Sequence, residues 1–506
     1  MRRITTTSRE PLFDTVTTRQ IETLAQAHLP EHTLMDRAGL AVARLAAAIA
    51  PHARTIWVAC GPGNNGGDGL RAAAYLAQWK RQGRGDGLVH LTHAMGTNPD
   101  PARLPADSRH AMAQAQAAGV LFHAEPPTQA DLVIDALLGL GARRPPEGQI
   151  GQWLHGMTTG RAPVLAVDLP TGLDADTGSW SGPELSAGGP VRHTLSLLTL
   201  KPGLFTADGR DAAGILWFDD LGVPAPDNCG PRAWLSPAVE WHPGRLHRSH
   251  KGTQGDVVVI GGQHVGVDGA GMIGAGILAA RAALTSGAGR VYLAQLGETL
   301  PWDPVFPELM MRSPDRLMRS QGLESGSVVC GCGGGEAVTA LLPAVISRSH
   351  RLVLDADALN AVAADPALHR RLRARHELGQ VTVITPHPLE AARLLNSDTA
   401  TVMADRLAAA ECLAERLGVI CVLKGSGTVI AAPGQIPFIN ASGNPRLATA
   451  GTGDVLAGML GAALAGTDGS DALAQVRAAV ARHGALADHW TDATLTAGRL
   501  ALAISR

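Results

Sequence analysis

The chain has 506 residues, of which 45% are apolar and 17% charged, and its formal net charge is −2. This length exceeds what one hydrophobic core supports, so we expect two to four domains, and the small charge gives no reason to expect nucleic acid or an anionic membrane as a partner. No apolar run reaches the ~18–20 residues of a membrane helix, and no apolar core follows the N-terminal arginines, so we expect neither a membrane span nor a secretory signal.

A glycine-rich stretch follows the first predicted strand. Helical patterns precede residue 51, residues 55–59 predict a buried strand, and GPGNNGGDG at 61–69 then leads into a helix predicted over 70–80. Three glycines in it satisfy G-x-G-x-x-G, which is typical of dinucleotide-binding oxidoreductases. However, two asparagines and Asp68 crowd the loop, and Asp86, the acidic residue expected ~20 positions on, lies in a turn pattern. An oxidoreductase, a plain turn, and a loop whose side chains bind a cation or polar ligand all stay open.

Several later strands each end in an aspartate. Residues 88–91, 132–134 and 164–167 predict strands, and the last two precede Asp135 and Asp168. Parallel α/β sheets collect ligands at the carboxyl ends of their strands, so Asn65, Asp135 and Thr171 are expected to meet. One carboxylate with amide and hydroxyl oxygens suits a monovalent cation better than a transition metal. Asp168 is either a reacting carboxylate or a cap of its own turn.

Four motifs of this half resemble the NAD(P)H-hydrate epimerase family: GPGNNGGDG, IDALLGLG, VDLPTGLDADTG at 167–178 and LKPGL at 200–204. The resemblance implies a Rossmann-like three-layer domain that interconverts the R and S forms of hydrated NAD(P)H. It also implies a catalytic Asp168 at the reacting ring and K+ ligands Asn65, Asp135 and Thr171. The substrate-binding residues that it implies are Asn64, Asn65, Gly66, Gly67, Asp68, Gly139, Leu140, Gly141, Ala142, Arg143, Arg144, Pro145 and Asp168.

A proline-rich stretch at 222–237 lacks periodicity and predicts a linker, after which α/β units resume. The strands predicted beyond it lie at 255–262, 328–330, 352–354, 381–384 and 419–423. Each again ends in polar or glycine-rich residues, and the chain contains no Walker motif. The six cysteines are scattered without metal-site spacing, so we expect buried, reduced thiols and a cytoplasmic location.

Residues 451–454 (GTGD) lead into an apolar helix and predict an anion site, because the start of a helix offers free N–H groups and a positive dipole end. Asp454 either complements that dipole or acts as a base beside a bound phosphate. Lys424 either contacts a nucleotide phosphate or is solvated, and His387, between two prolines, either binds a ligand or caps a turn. Asp355 and Asp357, on one side of a strand end by alternation, either face magnesium and phosphate or cap their loop.

The second half resembles the NAD(P)H-hydrate dehydratase family in HKGTQGDVVVIGG, LDADALN, TPHPLEA, VLKGSGTVI and GNPRLATAGTGDVLAGML. The resemblance implies a ribokinase-like α/β fold, Mg2+, and ADP-dependent dehydration of the S-hydrate with Asp454 as catalytic base. The implied substrate-binding residues are Ala275, Gly333, Gly335, His387 and Asp454. The implied nucleotide-binding residues are Lys424, Gly425, Ser426, Gly427, Thr428 and Gly453. The chain reads GCGGG at 331–335 where the family usually reads GPGLG, which predicts a looser loop.

These patterns together predict three segments: an epimerase domain at 1–225, a linker at 226–240 and a dehydratase domain at 241–506. The expected partners are NADHX, NADPHX and ADP, without nucleic acid or membrane, and the expected assembly is a homo-oligomer. Two alternatives stay open. The second half could be a vitamin or sugar kinase, and the first half could be a nucleotide-binding module without turnover.

Overall fold

The computed structural model describes residues 1–85, 87–142, 144–237, 247–265, 271–297, 301–466, 471–491 and 494–505. The chain divides into two compact units: unit 1 comprises Met1–Thr5 and Glu10–Ala233, and unit 2 comprises Thr6–Arg9 and Trp234–Arg506. Within the predicted linker, residues 233–236 form a strand. The predicted domain limits stay predictions. Arg143, a predicted substrate-binding residue, lies outside the described residues.

Unit 1 is an α/β domain built on one sheet. Its strands are β1 (Arg2–Arg3), β2 (Glu10–Leu12), β3 (Thr55–Cys60), β4 (Leu88–His93), β5 (Phe122–His123), β6 (Leu132–Ala136), β7 (Val164–Val167), β8 (Arg192–Leu197) and β9 (Ile215–Asp219). Its α-helices are α1 (Thr15–His28), α2 (Thr33–Ile49), α3 (Asn64–Arg81), α4 (Ala106–Ala117), α5 (Gly148–Thr159) and α6 (Gly209–Ala213). Eight of these strands, all except β2, form the sheet in the order β1-β9-β8-β7-β6-β3-β4-β5, and every pair except β1-β9 is parallel.

The register of the central strands aligns their carboxyl ends. Asp135 on β6 pairs with Ala59 on β3 and with Ala166 on β7. These strands are mostly apolar because helices cover both faces of a parallel sheet. The loops after β3, β6 and β7 therefore leave the sheet at the same edge, as the sequence predicted for a ligand site.

Helix α3 begins at Asn64, six residues before the start predicted from the sequence. The prediction was wrong because it took the glycines of GPGNNGGDG for a loop. They instead permit close packing inside the helix. A Cβ at Gly66 would lie 1.9 Å from the carbonyl oxygen of Gly61, and one at Gly69 would lie 2.5 Å from the Cβ of Ala136.

Unit 2 is a second α/β domain. Its strands are β10 (Ala233–Ser236), β11 (Asp256–Gln263), β12 (Arg290–Leu296), β13 (Met310–Arg312), β14 (Ser327–Cys330), β15 (Arg351–Leu354), β16 (Val381–Ile384), β17 (Ile420–Leu423), β18 (Val429–Ala431) and β19 (Phe438–Asn440). Its α-helices are α7 (Ile273–Thr285), α8 (Pro314–Met318), α9 (Gly322–Ser325), α10 (Leu342–Arg348), α11 (Asp357–Ala364), α12 (Pro366–Glu377), α13 (Pro388–Leu395), α14 (Thr399–Ala404), α15 (Arg406–Leu417), α16 (Thr452–Ala465), α17 (Ala472–Asp488) and α18 (Ala497–Ala503).

The sheet of unit 2 runs β13-β12-β11-β14-β15-β16-β17-β18-β19-β10, parallel from β13 to β17 and antiparallel from β17 to β19. Helix α16 packs closely on α7, since a Cβ at Gly458 would lie 2.0 Å from the Ala279 carbonyl oxygen.

Five of the six cysteines are buried, whereas Cys412 is exposed, contrary to the prediction that all would be buried. Among the described helices, none is both long and apolar enough to cross a membrane.

Candidate active sites

A cavity of about 470 Å³ lies in unit 1 where the loops after β3, β6 and β7 meet α1 and α4. The predicted substrate-binding residues that line it are Asn64, Asn65, Asp68, Gly139, Leu140, Gly141, Ala142 and Asp168. Gly66, Gly67, Arg144 and Pro145 are not among its lining residues. A Cβ at Gly67 would lie 2.5 Å from the Met35 methyl group, so this glycine serves the packing of α3.

The predicted K+ ligands of unit 1 converge on Leu138. Asn65 Nδ2 donates to the Leu138 carbonyl at 3.0 Å, and the Leu138 amide donates to Thr171 Oγ1 at 3.0 Å. Thr171 in turn donates to Asp135, from Oγ1 at 2.7 Å and from its amide at 3.0 Å.

The Asp135 carboxylate is 2% exposed and has no basic side chain within ion-pair distance among the described residues. Burial raises its pKa, and the hydrogen bonds from Thr171 oppose that rise. A buried carboxylate with neutral donors, beside amide and hydroxyl oxygens, fits a weakly hydrated monovalent cation. These residues are therefore able to hold K+.

Asp168 is held by a lysine that the sequence did not single out as a site residue. Lys201 is fully buried, and its ammonium donates to Asp168 Oδ1 and, at 2.9 Å, to the Leu197 carbonyl. The Leu197 amide also donates to Asp168 Oδ1, at 3.0 Å. Asp168 has a left-handed backbone with φ of 64°, a conformation that non-glycine residues keep only when their surroundings fix it. A single lysine in the apolar run LLTLKPGLF was the signal available in the sequence.

Three other carboxyl groups line the same cavity: Glu22 on α1, Asp68 on α3 and Asp107 on α4. Burial, and next the charge of Asp168, raises the pKa of Glu22 and raises that of Asp68 well above its ordinary value. Carboxyl groups that share a poorly solvated cavity resist ionising together. Nothing in the sequence pattern singled out Glu22 as a site residue.

In unit 2, a lysine and an aspartate form a buried ion pair next to the start of α16. Lys424 Nζ lies 2.8 Å from Asp355 Oδ1, which also accepts from Thr385 Oγ1 at 2.7 Å. Burial acts to raise the pKa of Asp355, but the charge of Lys424 and the hydrogen bonds from Lys424, Thr385 and the Ala356 amide together hold that pKa below its ordinary value. A Cβ at Gly453 would lie 3.4 Å from Lys424 Nζ, so the lysine is beside the start of α16, which has no side-chain cap among the described residues.

Asp454 lies in the first turn of α16, close to this ion pair. Its carboxylate, that of Asp355 and Cys332 Sγ lie within 4.8 Å of one another. Burial and then the charge of Asp355 raise the pKa of Asp454 to about 6, and a hydrogen bond from Cys332 opposes the rise. Mg2+ prefers carboxylate and phosphate oxygens to thiols, so the two carboxylates are the groups that could face a nucleotide-bound Mg2+.

Asp355 and Asp357 do not share one side of a strand end, contrary to the prediction from alternation. β15 ends at Leu354, Ala356 adopts φ of 47°, and Asp357 starts α11. Asp357 Oδ2 accepts from the Gly335 amide at 2.8 Å, so it fixes the GCGGG loop.

The GCGGG loop brings three predicted substrate-binding residues together. A Cβ at Gly333 would lie 2.8 Å from that of Ala275, and one at Gly335 would lie 1.8 Å from Gln263 Oε1. Both glycines have positive φ. The Gly333 carbonyl accepts from the Gln263 amide at 2.6 Å, and Cys332 is fully buried. The loop is thus anchored without the proline and leucine of the family pattern.

His387 caps helix α13 through Nδ1, which accepts from the amides of Leu389 and Glu390 at 3.1 and 3.3 Å. Its Nε2 lies 3.3 Å from Glu390 Oε1, and the side chain is 46% exposed. Burial, followed by the charge of Lys424, lowers the pKa of His387. His387 therefore has the capping role that was one of the two sequence-based alternatives. The exposed edge of its ring is accessible to a ligand.

Arg406 anchors the predicted nucleotide-binding loop at 424–428 through hydrogen bonds. This guanidinium is buried and donates to the carbonyls of Leu423, Lys424 and Gly427 at 3.3 to 3.4 Å. Gly425 and Gly427 have φ of 139° and 62°, which side chains rarely adopt. Ser426 and Thr428 belong to the same loop, and Thr428 Oγ1 donates to the Gly425 carbonyl at 3.3 Å. Nothing in the sequence pattern singled out Arg406 as a site residue.

Both halves of the chain match known families. Residues 257–506 match the family described as NAD(P)H-hydrate dehydratase, and residues 31–203 match the YjeF-related protein N-terminus. A bifunctional NAD(P)H-hydrate repair enzyme of Escherichia coli (strain K12) is 37% identical over 482 residues, which cover 93% of this chain and 87% of that protein. An ADP-dependent (S)-NAD(P)H-hydrate dehydratase of Neisseria meningitidis is 40% identical over 262 residues, 51% of this chain and 84% of that protein.

Among solved structures, an ADP/ATP-dependent NAD(P)H-hydrate dehydratase of Bacillus subtilis, crystallised with ATP/Mg2+, is 28% identical. The alignment covers 52% of the present chain and 92% of the Bacillus subtilis chain, with a TM-score of 0.42.

Proposed function

The chain belongs to the family of bifunctional NAD(P)H-hydrate repair enzymes, and we propose that its two units carry the two activities separately. Unit 1 epimerises the R and S forms of hydrated NAD(P)H, and unit 2 dehydrates the S form to NAD(P)H with ADP. The observation that carries the second activity is the meeting of Lys424, Gly453 and Asp454 at the start of α16. The first activity is supported by the cavity that contains Asp168.

The proposed epimerase site uses Asp168 at the reacting carbon, which bears a hydroxyl group and adjoins the ring nitrogen. Lys201 and the Leu197 amide orient this carboxylate as a proton acceptor. Asn64, Asn65 and Asp68 bind the substrate from α3, and residues 139–142 bind it from the loop after β6. K+ held by Asn65, Asp135 and Thr171 would fix the start of α3 and the end of β6 against the loop after β7.

The proposed dehydratase site converts the ring hydroxyl, a poor leaving group, into a phosphate ester, whose phosphate is a good leaving group. Asp454 takes the proton of the ring hydroxyl, whose oxygen then accepts the terminal phosphoryl group of ADP, so that AMP is released. The lone pair of the ring nitrogen expels the phosphate, and loss of a ring proton restores NAD(P)H. Lys424 and the N–H groups at Gly453 stabilise the phosphoryl charge, and Mg2+, when bound, neutralises phosphate oxygens.

One preparation of mixed R- and S-hydrate tests both activities. We expect the full chain with ADP to return reduced-nicotinamide absorbance from the whole pool and to release AMP and phosphate in equal amounts. Without ADP, chiral chromatography should show a purified S-hydrate returning to an R and S mixture. Recovery of the S fraction alone would remove the epimerase from the proposal, and absence of any recovery would remove the dehydratase.

The kinase alternative predicts a different product. A vitamin or sugar kinase would accumulate a stable phosphate ester, whereas dehydration releases inorganic phosphate without one. Accumulation of a phosphorylated product would therefore favour the kinase.

Three features stay predictions from the sequence: K+ at unit 1, a homo-oligomeric assembly and a cytoplasmic location. Both NADHX and NADPHX stay predicted substrates.

A further inference from the structure

Glu22 is a carboxyl group of the unit 1 cavity for which the epimerase site described above has no role. It lies in the middle of α1 and lines the cavity together with Asp168. It makes no side-chain hydrogen bond to any residue that the structure describes. A partly buried carboxyl without a partner inside a ligand cavity is costly for folding and therefore points to a role in binding or chemistry.

The charged groups that interact with Glu22 come from several elements of unit 1. They are Asp168 after β7, Lys201 after β8, Asp107 on α4, Asp68 on α3 and Arg19 on α1 itself. Burial is the first cause that raises the pKa of Glu22, and the Asp168 charge is the second. Lys201 and Arg19 oppose the rise without cancelling it. Glu22 therefore keeps its proton to a higher pH than an ordinary glutamic acid does.

Asp168 differs from Glu22 in its contacts, because Lys201 and the Leu197 amide both donate to its carboxylate. One cavity thus contains an oriented proton acceptor and a carboxyl that favours its protonated form. Paired carboxyl groups whose environments differ in this way are typical of acid–base catalysis.

We propose that Glu22 is the general acid that acts with Asp168 in the epimerisation, an inference that rests on the proposed function of unit 1. Asp168 takes the proton of the hydroxyl group, the oxygen forms a carbonyl, and the bond between the reacting carbon and the ring nitrogen breaks. The bonding pair goes to the nitrogen, which receives the proton of Glu22. After rotation of the open aldehyde, the nitrogen attacks the other face of the carbonyl and both protons return. No electrons are gained or lost, and no co-reactant is consumed.

The test compares Glu22→Gln with Glu31→Gln in the full chain, by the rate of R and S interconversion between pH 5 and 10. Glu31 is exposed and outside the cavity, so its variant controls for the loss of one carboxylate. We expect E22Q to lose about 10²-fold in rate and to lose the fall in rate at high pH, because glutamine has no proton to give. E31Q should keep both.

A further variant, Glu22→Asp, retains the carboxyl group and should keep the fall at high pH at a lower rate. Circular dichroism and thermal unfolding of each variant report whether unit 1 is folded, because dehydration reports only on unit 2. E22Q with the rate and pH profile of the unaltered chain would overturn the inference, as would removal of the high-pH fall by Asp68→Asn but not by E22Q. If the unaltered chain does not interconvert the hydrates at all, the proposed function of unit 1 fails instead.

Discussion

The ammonium of Lys424 lies 2.8 Å from Asp355 Oδ1, in a pair whose carboxylate is 3% exposed. Taking two charges out of water costs free energy, which this attraction and the Thr385 hydrogen bond offset. The pair places a positive charge beside the start of α16, where the proposed nucleotide phosphate binds. The ion pair therefore serves mainly to position Lys424, and its contribution to stability is secondary.

We expect Lys424→Met to destabilise unit 2 by about 3–5 kcal/mol, because it leaves Asp355 buried and unpaired. The double variant Lys424→Met/Asp355→Asn should regain most of that loss but should not regain ADP binding. Calorimetry of the full chain, with the unit 2 transition identified by its shift with ADP in the unaltered protein, measures both effects. A double variant no more stable than K424M would contradict the ion-pair argument.

Asp454→Asn should lower ADP-dependent dehydration by at least about 10²-fold, because the proposed base is lost, and should leave epimerisation unchanged. In the unaltered chain, dehydration should fall as the pH drops through about 6, since Asp454 then becomes protonated. Parallel assays of both activities on one preparation provide the internal control. Retention of dehydration by the variant would exclude Asp454 as the base.

The same substitution should stabilise unit 2 near neutral pH. The folded pKa of Asp454 is about 6 against an ordinary 3.8, so above pH 6 the folded state holds an ionised group that burial disfavours. That gap corresponds to at most about 3 kcal/mol, which asparagine avoids. The unaltered chain should gain stability as the pH falls from 6 to 4, and the variant should lack this gain. Equal thermal stability of the two proteins at pH 7.5 would contradict the argument.

Lys201→Met should lower epimerisation by about 10²-fold while dehydration stays unchanged, because Asp168 loses the buried donor that orients it. Lys80→Met is the matched control, since Lys80 is an exposed lysine on α3 of the same unit. The measurement is chiral chromatography of the hydrate over time. If both variants epimerise at the rate of the unaltered chain, Lys201 does not position the reacting carboxylate.

Thr171→Val should make epimerisation insensitive to K+, with a loss of about 10-fold in K+ buffer, because Oγ1 is removed from the proposed cation site. Thr159→Val is the control, because Thr159 is exposed and its hydroxyl donates only to the His155 carbonyl within α5. Rates are compared in potassium and tetramethylammonium salts. A K+ response equal to that of the unaltered chain would place the cation elsewhere.

The α/β class and the membership of the family were available from the sequence. Apolar strands followed by aspartates or glycines predicted parallel sheets, and the order of motifs predicted the two activities. These features depend on local pattern, which period and residue type express directly. The strand predicted at 164–167 agrees with β7, and that at 381–384 agrees with β16.

The start of α3, the separation of Asp355 from Asp357, and the partners Lys201, Glu22, Cys332 and Arg406 were decided by the tertiary structure. Glycines at 66 and 69 look like a loop until the backbone that packs against them is known. A lysine or glutamate becomes a site residue only when burial and a carboxylate that is distant in the sequence change its proton affinity. Neither the burial nor the approach of that carboxylate can be read from the position of the residue in the chain. Local order is therefore determined by the sequence pattern, whereas the charges that act on one another are determined by which strands and helices end beside each other.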